Sequence, residues 1–225
     1  MRAAIFDLDG TLVDSLGDIA ASANHALSFL GTQPRTIEEY RFLAGGGNTK
    51  LMTRLLQSVL GKEPPSDLVA RCVQIKRNYE NGPQGHVHTT VFPGVLDMLH
   101  ALQQAGVQLA ILSNKTEPNV REVVADHLPG IEWKYIAGAR DDVPLKPDPT
   151  AALNIMRQHM DGVEVKDCVF VGDTDIDMKT GIAAGMTPVG VSWGFRPVDE
   201  LKQHGAEIVV ETALQISDFV LSRTA

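Results

Sequence analysis

The feature that most narrows the fold is a change of texture along the chain. Residues 3–6 are a short apolar run ending in Asp7, which reads as a buried strand with an acid at its carboxyl end. From 15 to about 81 the periodicity is helical throughout. Ile19, Ala23, Leu27 and Leu30 recur at helical spacing before Gly31. Thr36 and Glu39 form a T-x-x-E capping box, and Leu51, Met52, Leu55, Leu56, Val59 and Leu60 make an apolar face stopped by Gly61. A third face carries Leu68, Val69, Cys72, Val73 and Tyr79. An Asn-Gly-Pro-Gln-Gly loop at 81–85 then opens a strict alternation. Helices are expected at 95–104, 118–127, 150–160 and 176–184, and strands at 107–112, 134–137, 169–171, 189–192 and 208–210. Such alternation implies an α/β fold, a doubly wound parallel sheet with helices on both faces. The expected organisation is a core from 1–14 and 86–225, with a helical insert at 15–85 after the first strand.

Composition fits that plan. The 225 residues are 44% hydrophobic and 21% charged, enough to bury a core and too apolar for general disorder. Lys and Arg number 20 against 28 Asp and Glu, a net charge of −8 with no basic run, so no nucleic-acid partner is expected. An anionic substrate must instead be drawn in locally, by a metal or a few placed cations. The two cysteines, Cys72 and Cys168, are far apart and unpatterned, which suits a reducing compartment and suggests no disulfide framework. No apolar stretch reaches the length of a membrane span, and Asp7 and Asp9 interrupt any signal-like segment. The expectation is a cytoplasmic protein without a membrane partner, monomeric or homodimeric.

Ligands of open α/β sheets bind beyond the carboxyl ends of the strands. Asp7 and Asp9 follow the first strand, and Ser113 and Asn114 the second. Lys146 lies in the Lys-Pro-Asp-Pro loop after the third, and Gly172, Asp173 and Asp177 follow the fourth. Each feature alone suits a turn or a helix cap. Gathered in one crevice, the acids would repel each other unless a divalent cation held them, and hard oxygen donors suit magnesium. A lysine on a proline-stiffened loop at that edge could anchor a phosphoryl group.

In order along the chain, D-L-D-G-T-L-V-D-S at 7–15, S-N at 113–114, K-P-D-P at 146–149 and V-G-D-T-D-I-D at 171–177 resemble the haloacid dehalogenase superfamily of phosphohydrolases. The resemblance covers the whole chain and makes the helical insert similar to that family's cap domain. It implies Asp7 as a nucleophile that becomes an aspartyl-phosphate, and Asp9 as general acid and then base. Asp7, Asp173 and the backbone carbonyl of Asp9 would hold Mg2+. Ser113 and Lys146 would bind the phosphoryl group, Asn114 would orient it, and Asp177 would support either the metal's waters or Lys146. The second acid, Asp9, argues against halide displacement and against the phosphonate-cleaving branch with its cap lysine, for which Lys50 is roughly placed. The turn Leu-Ala-Gly-Gly-Gly-Asn-Thr-Lys at 43–50 has no arginine before Arg54, unlike the phosphoglucomutase branch. It is similar to that of phosphoglycolate phosphatases, as is the Gly-Met-Thr-Pro-Val-Gly-Val-Ser-Trp-Gly-Phe-Arg stretch at 185–196.

The implied activity is therefore magnesium-dependent hydrolysis of a small anionic phosphate ester, 2-phosphoglycolate favoured. Gly46, Gly47, Asn48 and Lys50 are the candidate substrate contacts on the cap, with hinges near 13–16 and 82–85. A phosphosugar mutase, a pyrophosphatase or a broad-specificity phosphatase would share the same core residues, and a non-catalytic phosphate-binding protein would not need all of them. Asp148 stands where many phosphoglycolate phosphatases have histidine.

Overall fold

The computed structural model describes residues 1–223, which divide into two compact units: Met1–Asp14 with the chain from Thr90 onward, and Ser15–Thr89. The first unit is built on β1 (Ala3–Phe6), whose four residues are all buried. A strand covered on both faces has no polar side to show, which is why it reads as a continuous apolar run. The other strands of its main sheet are β4 (Gln108–Thr116), β5 (Trp133–Ala139), β6 (Cys168–Gly172), β7 (Thr187–Val191) and β8 (Ile208–Val210). They form one six-stranded sheet in the order β5-β4-β1-β6-β7-β8, every pair parallel. The chain winds outward from β1 through β4 and β5, then returns to the other side of β1 and winds outward again. That reversal opens a crevice at the carboxyl ends of β4, β1 and β6, where a doubly wound sheet binds its ligands.

Alternate residues face opposite layers. Ala4, Phe6, Leu109, Ile111, Val169 and Val171 join a core with α5 (Val95–Gln104), α6 (Glu117–His127) and α10 (Ala213–Ser222). Ala3, Ile5, Ala110, Leu112, Cys168 and Phe170 join a second, which includes residues of α7 (Thr150–His159) and α8 (Asp175–Ala184). Burial of a large side chain such as Phe6 or Ile5 contributes about 1.5–3 kcal/mol. The short helix α9 (Val198–Gln203) leads into β8.

A small antiparallel pair, β2 (Val13–Asp14) and β3 (Thr90–Val91), joins the two chain segments of this unit, with Asp14 opposite Thr90. Two short strands thus flank the helical stretch, one on each side of it.

The second unit holds α1 (Leu16–Ser28), α2 (Ile37–Arg41), α3 (Gly47–Leu60) and α4 (Ser66–Glu80). Ile19, Ala23, Leu27, Leu51, Met52, Leu55, Leu56, Val69 and Cys72 are buried in it. Leu30 falls beyond the end of α1 and is half-exposed, because the helix closes at Phe29. Glu39 accepts from the Thr36 N–H at 2.8 Å, as the capping box requires. Gly61 ends α3 in the left-handed region. Asp18 accepts hydrogen bonds from the His88 N–H and the Thr89 hydroxyl, tying the returning chain to α1.

Candidate active site

Asp7 follows β1 directly and is still latched to the sheet, its N–H donating to Val171 O at 2.9 Å. Asp7 Oδ1 accepts from the Leu8 N–H at 2.7 Å and lies 2.9 Å from Lys146 Nζ. Lys146 donates to Asp177 Oδ1 at 2.7 Å as well, so one buried ammonium bridges the end of β1 and the first turn of α8. Of the two roles left open for Asp177, the contact seen is the one to Lys146. The other oxygen of Asp177 accepts from the Thr174 N–H at 3.0 Å and the Thr174 hydroxyl at 2.6 Å, capping α8. Helix capping and site building are thus two faces of one carboxylate. Asp175 turns to Lys179 instead.

Asp173 is fully buried and accepts from the Phe195 N–H at 2.7 Å and the Thr11 hydroxyl at 3.1 Å. The backbone presses close around it. A Cβ on Gly10 would sit 2.3 Å from Asp173 Oδ2, and one on Gly194 would sit 2.1 Å from Asp173 Cβ. Gly10 also needs its φ of +85° for the turn after Asp9. One oxygen from each of Asp7, Asp173 and Asp177 lies within 4.8 Å of the others.

Burial raises the pKa of Asp7 well above the usual carboxylate range, against the pull of Lys146 and with Asp177 and Asp173 adding to the rise. Burial, then Asp177, pushes Asp173 up to about 7. Burial opposes the charge on Lys146, but Asp177 and Asp7 outweigh it and hold its pKa above the ordinary lysine value. Three buried carboxylates against one ammonium leave an excess of negative charge. All their donors are hard oxygens, which fits a magnesium-like divalent cation.

Asn114 clamps the lysine loop at two points. Its Oδ1 accepts from the Lys146 N–H at 2.9 Å, and its Nδ2 donates to the Lys146 carbonyl at 3.0 Å. Ser113 is buried beside it, its Oγ accepting from the Lys115 N–H at 3.2 Å. Asp9 stands apart from the acid group and pairs with Lys115, whose Nζ lies 3.0 Å and 3.4 Å from its two oxygens. Asp148 is exposed and accepts from the Thr150 N–H at 2.9 Å, at the start of α7. Gly46, Gly47, Asn48 and Lys50 lie in the helical unit, at the N-terminus of α3. There Asn48 Nδ2 donates to Glu80 at 3.3 Å, Glu80 pairs with the buried Lys76, and Lys50 is exposed.

Sequence reading missed Lys115, Thr11 and the 194–195 backbone. Lys115 lies two residues past Ser113 on β4, which runs on to Thr116 rather than stopping at Leu112. Phe195 is buried, and Trp193 Nε1 donates to Thr11 O at 3.1 Å, so this segment frames Asp173.

The description "haloacid dehalogenase-like hydrolase" belongs to a family whose model matches residues 4–191. The chain belongs to that family of hydrolases. The phosphoglycolate phosphatase of Pseudomonas fluorescens is 34% identical over 217 residues, spanning 96% of this chain and 76% of that one. Phosphoglycolate phosphatase 1 of Pseudomonas aeruginosa is 33% identical over 207 residues, 88% of this chain and 73% of that one. Among solved structures, a protein of Lactobacillus delbrueckii subsp. bulgaricus assigned to the phosphoglycolate phosphatases superposes with a TM-score of 0.88 at 30% identity, over 97% of this chain and 98% of the other. The enzyme class of these relatives is phosphoric monoester hydrolase, and this chain is an enzyme similar to them. Among the described residues no helix is long and apolar enough to cross a membrane.

Proposed function

We propose that the protein is a magnesium-dependent phosphomonoesterase that works through an aspartyl-phosphate, with 2-phosphoglycolate as the favoured substrate. The observation that carries this reading is the placement of the Asp7 carboxylate. It is held by Lys146, grouped with Asp173 and Asp177, and set in the crevice where the sheet reverses its winding.

Asp7 attacks phosphorus, and the ester P–O bond breaks. The leaving oxygen takes its proton from Asp9. Water then gives a proton to Asp9 and attacks the same phosphorus, which breaks the Asp7–phosphate bond and releases inorganic phosphate. Lys146 and Ser113 bind the phosphoryl oxygens, Asn114 holds the lysine loop in place, and Asp177 anchors Lys146. Asp7, Asp173 and the Asp9 carbonyl would hold Mg2+, which supplies positive charge for the oxygens that become more negative as phosphorus is transferred. The helical unit would serve as the cap, with Gly46, Gly47, Asn48 and Lys50 as its contacts to the non-reacting end of the substrate. Two buried free thiols, Cys72 and Cys168, suit a cytoplasmic setting.

The test is phosphate release with magnesium from 2-phosphoglycolate, pyrophosphate, beta-glucose 1-phosphate, phosphonoacetaldehyde and an aryl phosphate. A clear lead in kcat/KM for 2-phosphoglycolate supports the reading, and flat activity across the panel removes the substrate while keeping the chemistry. Acid quench during turnover should yield a phosphorylated peptide containing Asp7. Label on another residue would remove the nucleophile assignment.

A further inference from the structure

The two motif aspartates are each taken by a different lysine. Lys146, from the loop after β5, meets Asp7, while Lys115, from the end of β4, meets Asp9. The second pair is well shielded: the Lys115 side chain is 7% exposed and that of Asp9 15%. An ion pair so placed is screened far less than one on an open surface. Lys115 Nζ reaches both carboxylate oxygens, which fixes the rotation of the Asp9 carboxylate as well as its position. The lysine itself is anchored, because its N–H is bonded to Ser113 Oγ and its strand is paired with β1 in register, Phe6 opposite Ile111. A side chain on a strand end supported from beneath holds its partner more closely than one on a free loop.

We propose that Lys115 is the positioning residue for the Asp9 carboxylate. It keeps Asp9 out of the acid group formed by Asp7, Asp173 and Asp177 and aimed for proton transfer at the leaving oxygen. The inference rests on the reading of Asp9 as the acid in ester cleavage. In that step Asp9 carries on one oxygen a proton taken up from solvent while Lys115 holds the other; the Asp7–phosphorus bond forms, the ester bond breaks, and its electron pair takes that proton on the leaving oxygen. An alkyl leaving group needs that proton, whereas a nitrophenolate leaves with little help.

The experiment compares kcat/KM, which reports bond cleavage up to the first irreversible step, for 2-phosphoglycolate and para-nitrophenyl phosphate. The proteins are wild type, Lys115→Met, Lys115→Gln, Lys115→Arg and Asp9→Asn, each checked for folding by thermal melting. The expected result is a loss of about 10–100-fold on the alkyl ester for Lys115→Met and Lys115→Gln, with a several-fold smaller loss on the aryl ester. Lys115→Arg should restore part of the difference. Asp9→Asn should show the same asymmetry, and adding Lys115→Met to it should cost little more. If Asp9→Asn is asymmetric and the Lys115 variants lower both esters by one factor, or neither, the inference is overturned and the acid assignment stands. If Asp9→Asn lowers both esters equally, the acid assignment falls and the inference falls with it.

Discussion

Asp173 shows how one buried side chain links chemistry to stability. Its pKa of about 7 comes from burial and from Asp177, against an ordinary value of 3.8. A carboxyl that holds its proton more tightly folded than unfolded favours the folded state most below the unfolded value. That contribution is lost as pH rises through the folded one. In excess chelator the melting temperature should therefore fall between about pH 4 and about pH 7, and Asp173→Asn should fall less steeply over that window. Parallel slopes for the two proteins would show that Asp173 does not carry this dependence. Added magnesium should raise the wild-type melting temperature most at the upper end, where the carboxylates are ionised, and should do little for Asp173→Asn. Asn114 gives a second residue-level expectation. Asn114→Ala leaves the buried N–H and carbonyl of Lys146 without these partners, a cost of about 1–3 kcal/mol. It should also lower kcat by loosening the lysine, which a melt and a rate measurement on one sample would separate.

At the scale of elements, the site is made where backbone segments pass close to acids. The 192–196 segment approaches Asp173 so closely that a methyl group on Gly194 would overlap it. Gly194→Ala should push Asp173 or the segment aside, costing about 1–3 kcal/mol and lowering metal affinity together with activity. Unchanged magnesium dependence would mean the backbone yields without moving Asp173. Nothing in the sequence pattern marks Gly194, because its neighbour is reached only through the pairing of β6 with β7. The strands and their acids were legible for the opposite reason: strands buried on both faces are nearly continuous apolar runs, and Asp7 and Asp173 sit at their ends. β4 was read four residues short because Ser113, Asn114, Lys115 and Thr116 are polar. A shift of register past Leu112 brings Thr116 opposite Ala139, and this pairing carries the strand on. The β2–β3 pair is two residues on each side, too short for any alternation to show. Lys115 was passed over because its partner, Asp9, is over a hundred positions away in the chain.

At the scale of the whole molecule, the β2–β3 pair defines where one unit stops and the other begins. Asp14 lies directly opposite Thr90 in an antiparallel ladder, and Ser15–Thr89 is the entire helical unit. Two strand ends in that relation can be joined by a two-residue turn, for which Asn-Gly has the right backbone preference. The two sheet cores are built from residues of the first unit alone. Replacing 15–89 by Asn-Gly should therefore leave a chain that melts cooperatively and retains the acid group with Lys146. If the helical unit serves as the cap, the shortened protein should still release phosphate from para-nitrophenyl phosphate. Its preference for 2-phosphoglycolate over the aryl ester should fall by at least about tenfold, since the missing unit is the one that would read the substrate's far end. Retained preference would place recognition in the α/β unit. A shortened chain that fails to melt cooperatively would show that the sheet unit depends on the helical one for its stability.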